Sequence, residues 1–148
     1  MEQNITFSYD FEISKESLKN VLLNIENGTL KLGQATSYFV KMGLSSLTLL
    51  ENAFKTVDFN FDKQTIVFLD KLLPQIKQTT QKDYEVYCLL IGAYFCWCAV
   101  KVFGAYFATF NNAFCLILNN KAYSPKHLVE YAIENNKSLV DLFNEFEI

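Results

Sequence analysis

The longest apolar stretch of the chain runs from Val86 to Val100, fifteen residues without a charge. Thr80, followed three positions later by Asp83, has the spacing of a helix N-terminal capping box, and Gly104 offers a left-handed stop at the other end. The residues between predict a helix over about 81–103, roughly 34 Å long at about 1.5 Å per residue. It has no polar side, so something apolar must surround it. A bilayer would require about 20 apolar residues. Here Lys82 and Glu85 bound the run on one side and Lys101 on the other. The rest of the chain also carries apolar stripes that need a protein surface to cover. The pattern therefore predicts a buried core helix and no membrane association.

Other segments change rhythm. Ile5, Phe7, Tyr9, Phe11 and Ile13 alternate with polar residues, which predicts a half-buried strand over 5–13. Ser14 caps a helix that carries Glu16 in its first turn and Leu18, Val21, Leu22 and Ile25 on one face, and Asn27 with Gly28 ends it. Leu32, Ala35, Phe39 and Met42 mark a second helix. Gly43 either stops it, with Ser45 or Ser46 capping a third helix through Leu47, Leu50, Phe54 and Val57, or merely bends one long helix. The pattern leaves residues 29–57 open between these two. The segment 57–62 reads as a connection that buries its aromatics. Asp62 is expected to cap a helix bearing Ile66, Leu69, Leu72, Leu73 and Ile76, with Pro74 kinking or ending it.

Beyond Gly104 the spacing predicts a hairpin over 106–118 turning at Asn111 and Asn112, because asparagine tolerates the positive φ of tight hairpin turns. Asn119 and Asn120 form a second turn. A two-stranded hairpin is marginal alone, so the N-terminal strand is expected as its third member. Ser124 followed by Pro125 starts another helix, with Leu128, Val129, Ala132 and Ile133 inward. Ser138 with Asp141 caps the last, which carries Leu139, Leu142, Phe143 and Phe146. The sum is an α+β, mostly helical fold: helices packed around a central apolar helix, with a small antiparallel sheet from strand 5–13 and hairpin 106–118. One globular domain, 1–148, is expected.

Composition narrows the function. Hydrophobic residues at 51% and aromatics at 16% exclude a disordered chain. Net charge is −3, and all 13 basic residues are lysine. Arginine is the preferred fork for phosphates and base edges, so no nucleic-acid partner is expected. Cys88, Cys96, Cys98 and Cys115 lie within apolar runs, which suits free thiols in a reducing compartment. Residues 1–16 hold Glu2, Asp10, Glu12 and Glu16 against Lys15, unlike a secretory signal, so a cytoplasmic protein is expected.

Candidate chemistry is sparse. His127 is the one histidine, and any Ser-His-acid or Cys-His arrangement would have to use it. It falls in the first turn of a helix, whose positive end disfavours the imidazolium. A surface residue is expected, with no catalytic role. Cys96-Trp97-Cys98 lacks the spacing of redox or zinc sites, and on a helix its two sulfurs point about 200° apart. No metal, cofactor or phosphate-binding glycine loop is expected, and the chain reads as a non-enzyme.

The carboxylates are unevenly spread. None occurs in 86–129, whereas Glu130, Glu134, Asp141, Glu145 and Glu147 follow within a short span. Glu130 and Glu134 share a helical face, as do Asp141 and Glu145. This is compatible with solvated helix faces. It is also compatible with an acidic docking surface built from Glu130, Glu134, Asp141 and Glu145, with Tyr131 as aromatic anchor.

The second half, roughly 84–146, resembles a class of small bacterial domains found among immunity proteins of polymorphic and contact-dependent toxin systems. The resemblance is carried by Ile91-Gly92-Ala93-Tyr94, the hairpin 106–118, Tyr123-Ser124-Pro125 and Ser138-Leu139. Where a Gly-Glu pair is common in that class this chain has Cys96-Trp97, so any role of that acid is missing. The resemblance implies a toxin inhibitor that binds and neutralises a cognate, basic toxin domain, with a nuclease as the expected toxin, as in contact-dependent growth inhibition and toxin-antitoxin pairs. The chain is also similar to viral Bcl-2-like proteins, which wrap helices around one apolar helix and would imply another kind of helical interaction module. The strand and hairpin signals and the missing Asn-Trp-Gly-Arg type motif count against that alternative.

Overall fold

The structure, a computed structural model, describes residues 13–147. The strand read over 5–13 lies outside the described residues except for Ile13, which is buried. Helix α1, Lys15–Glu26, begins at Ser14. The Ser14 hydroxyl accepts from the Ser17 amide while the Ser17 hydroxyl accepts from the Ser14 amide, a reciprocal cap.

Helix α2, Gln34–Ala53, is one helix of 20 residues. Gly43 neither stops it nor starts another. The indole of Trp97 lies against it: a Cβ at position 43 would stand 2.6 Å from Trp97 Cδ1 and Nε1. Trp97 Nε1 donates to the Phe39 carbonyl of the same helix at 2.6 Å. A helical glycine costs about 1 kcal/mol relative to alanine, and here it clears the space into which the largest buried side chain fits.

Asp62 also departs from expectation. It precedes a short 3-10 turn, Lys63–Thr65, and its side chain makes no cap hydrogen bond. The carboxylate instead meets Lys101 Nζ at 2.6 Å, and the turn is fastened by the Thr65 hydroxyl donating to the Asp62 carbonyl. Helix α3, Ile66–Lys77, ends three residues beyond Pro74.

Helix α4, Gln81–Phe103, is the centre of the fold. The Thr80 hydroxyl accepts from the Asp83 amide, and Gly104 closes the helix in the left-handed region at φ 72°. By length and composition α4 could cross a membrane. Every residue from Ile91 to Val100 is buried, and α5 and α2 supply most of the covering, with α3 on a third side.

The sheet follows α4. Strand β1, Tyr106–Phe110, pairs antiparallel with β2, Ala113–Leu118, through the turn at Asn111 and Asn112, whose φ angles are 50° and 63°. Asn119 and Asn120, also at positive φ, make a second tight turn into β3, Lys121–Tyr123, which pairs with β2. The order is β1-β2-β3. The third described strand is therefore β3, and the expected N-terminal member falls outside the described residues. Three residues are too few for an alternation to stand out in sequence. Helix α5, Pro125–Glu134, and helix α6, Leu139–Glu145, complete the chain.

One hydrophobic cluster joins all the helices and the inner face of the sheet. Phe107 stacks on Phe39 and meets Trp97 edge-on, which seats β1 on α2 and α4. Phe95, Phe103, Phe143 and Phe146 tie α6 to the centre of α4 and its last turn. Tyr94 is fully buried. Its hydroxyl accepts from the Phe61 amide at 2.9 Å and bonds the Thr65 hydroxyl at 2.7 Å, so the 54–62 connection is pinned to α4 by a satisfied polar group.

Candidate functional site on the terminal helices

Helix α5 is placed by close backbone contact. The Ser124 hydroxyl accepts from the His127 amide, and Pro125 occupies the first helical position. The turn begins directly over Gly92 of α4, where a Cβ would lie 2.1 Å from the Pro125 carbonyl oxygen. With Val129, Ala132 and Ile133 buried, the opposite side of α5 faces outward. Helix α6 is placed through Asp70 of α3. That carboxylate accepts from the Leu139 amide at 2.6 Å, the Ser138 hydroxyl at 2.9 Å and the Val140 amide at 3.2 Å. It serves the orphan donors at the start of α6 alongside Ser138, which caps the Asp141 amide.

The five candidate residues separate on this frame. Glu130 is half-buried, its side chain 19% exposed, with His127 Nε2 at 3.6 Å. Glu130 and Glu134 stand near Tyr84 and Cys88 on the first turns of α4. The Tyr84 phenol is pushed up to about 12, chiefly by burial, then by Cys88 and by these two carboxylates. Tyr131 is 44% exposed, and the Lys137 ammonium lies 5.6 Å from its ring centre. Asp141 and Glu145 are exposed on α6, which reaches the other half of α4 through Phe143 and Phe146. The two acidic pairs are thus carried over different halves of the central helix. Glu134, Asp141 and Glu145 make no ion pair among the described residues, whereas Glu147 is taken by Lys63 at 2.6 Å.

The thiols and the histidine stay apart. All four cysteines are free and buried. Burial pushes Cys88 up to about 11, against a hydrogen bond to Tyr84 that lowers it, and raises Cys96, Cys98 and Cys115 as well. Cys98 points toward the Asp62 carbonyl, while Cys96 lies near Cys115. The side chain of His127 is 72% exposed, and no described contact joins it to a thiol. Among the described residues no group of three or more His, Cys, Asp or Glu is placed to hold a metal ion.

Two concavities escaped sequence reasoning because each is assembled from distant segments. One, about 490 Å³, lies between α3 and the α5–α6 turn. The other, about 350 Å³, lies where Tyr38, Leu89, Phe114 and Pro125 meet. Compared with family models, curated proteins and solved structures, the chain matches none.

Proposed function

We propose that this protein acts by binding, as an immunity protein that neutralises a basic toxin domain of the nuclease kind. The observation that carries the reading is the set of solvent-facing carboxylates Glu134, Asp141 and Glu145, which have no cationic partner among the described residues. A folded surface that leaves like charges unpaired is primed for an oppositely charged partner. A nuclease must hold a phosphate backbone and so presents a basic cleft. Carboxylates on α5 and α6 can cover such a cleft, with the exposed Tyr131 of α5 as an aromatic anchor. Such charges act mainly on the rate of encounter.

The test is the quadruple reversal of Glu130, Glu134, Asp141 and Glu145 to Lys. With the toxin domain encoded beside this chain as partner, association should slow by at least tenfold at low ionic strength, and the dependence on salt should flatten. An unchanged association rate with unchanged salt dependence moves the interface elsewhere. Failure of the neighbouring gene product to bind the wild-type chain refutes the immunity reading itself. A second reading, a helical interaction module of the Bcl-2-like kind, draws support from the concavity at Tyr38, Leu89, Phe114 and Pro125. Its mark would be capture of an amphipathic helix that Leu89→Glu abolishes.

A further inference from the structure

The cleft between α3 and the α5–α6 turn differs in chemistry from the acidic faces around it. Its floor is apolar, formed by Leu73 and Pro74 of α3 and by Ala132 and Ile133 of α5. Its volume, about 490 Å³, lies within the range of roughly 300–1,000 Å³ typical of small-molecule sites. Two lysines, Lys77 and Lys137, are among its lining residues. Lys77 has no ion-pair partner among the described residues. The Lys137 ammonium lies over the ring of Tyr131, beside the cleft, and has no carboxylate partner among the described residues, so a small swing of this long side chain brings its charge to the opening.

The one carboxylate lining the cleft, Asp70, is already engaged. It accepts from the Ser138 hydroxyl and from the Leu139 and Val140 amides, so its oxygens and its charge are turned toward the first turn of α6. A cleft with an apolar floor and two lysines in its lining is complementary to a molecule that joins an anion to an apolar body.

We propose that this cleft binds a small amphipathic acid: a carboxylate set between Lys77 and Lys137, on an aryl or short alkyl body resting on Leu73, Pro74 and Ile133. The site is independent of the toxin-binding reading, which uses the carboxylates of α5 and α6. No bond is made or broken. The protein supplies charge complementarity and an apolar bed.

The experiment uses 3-phenylpropionate as probe and its uncharged amide, 3-phenylpropionamide, as control, added to the ¹⁵N-labelled full chain at neutral pH. The proposal expects saturable amide shifts confined to residues 132–138 and the last turn of α3. The acid should bind at least tenfold more tightly than the amide. The double variant Lys77→Gln with Lys137→Gln should bring the acid down to the affinity of the amide, with the thermal midpoint of the free protein unchanged. Equal affinity for acid and amide overturns the proposal, as do shifts centred on another part of the chain, or no saturable shift up to the solubility of the probe. A double variant that keeps its fold and full affinity for the acid overturns it as well.

Discussion

Replacing Gly92 by alanine sets two physical rules against each other. In a helix interior alanine is favoured over glycine by about 1 kcal/mol, so a reading of α4 alone expects the variant to be more stable. The packing of α5 on α4 reverses that sign. The added Cβ would stand 2.1 Å from the Pro125 carbonyl oxygen, 2.5 Å from its carbon and 3.2 Å from the Lys126 nitrogen. All three atoms are backbone, fixed by the Ser124 cap and by the buried face of α5, so no rotamer change relieves the overlap. Overpacking a tight site costs about 1–3 kcal/mol, and a backbone obstacle places this case in the upper part of that range. Offsetting the propensity gain leaves a net loss of about 1–2 kcal/mol. At about 2–4 °C per kcal/mol for a chain of this size, the thermal midpoint should fall by roughly 2–8 °C.

Urea unfolding followed by circular dichroism measures the difference, and hydrogen exchange should locate the weakening in α5. The companion variant Gly43→Ala meets a side chain instead, the Trp97 indole at 2.6 Å. There the indole can retreat, so the loss should be smaller. The emission of Trp97, the only tryptophan, should change as its bond to the Phe39 carbonyl breaks. A Gly92→Ala protein as stable as wild type, or more so, would show that α5 is not seated on α4 at this residue.

Further outcomes follow from the buried polar groups. Tyr94→Phe should cost about 1–3 kcal/mol, because the buried Phe61 amide loses its acceptor; an unchanged denaturation midpoint would contradict that. Asp70→Ala should cost about 1–2 kcal/mol and speed exchange of the Leu139 and Val140 amides, since the carboxylate serves both; protection equal to wild type there would refute the cap. Stability should be complete below the ordinary thiol value of about 8.5 and fall as pH rises above it. The buried thiols and Tyr84 hold their protons higher in the folded state, so the unfolded chain binds fewer protons in that window. A thermal midpoint that stays flat between neutral pH and pH of about 10 would remove this account.

Much of the fold was legible because its signals are short-range. The caps at Ser14, Thr80, Ser124 and Ser138 each act within one helical turn, and the structure places a helix after every one. The asparagine pair at 111–112 declares its turn by its own tolerance of positive φ, and the uncharged run 86–100 points to a buried helix, which the structure bears out in full from Ile91 to Val100 while Val86 at its start stays exposed. The candidate acids were legible in the same way, as helical spacing within α5 and within α6.

What sequence left open depended on partners far along the chain. Whether Gly43 stops a helix or admits an indole depends on Trp97, and α2 runs through it because that indole arrives from α4. Asp62 resembles a cap, yet Lys101 claims its carboxylate, while the start of α6 is served by Asp70 from another helix. The strand that completes the described sheet, β3, is three residues long and is defined by its pairing with β2. Spacing along one helix cannot say where another helix lies, so the placement of Glu130 and Glu134 over one half of α4 and of α6 over the other is a tertiary fact. So is the lysine-bordered cleft between α3 and α5, for periodicity describes one element at a time and a concavity exists only between elements.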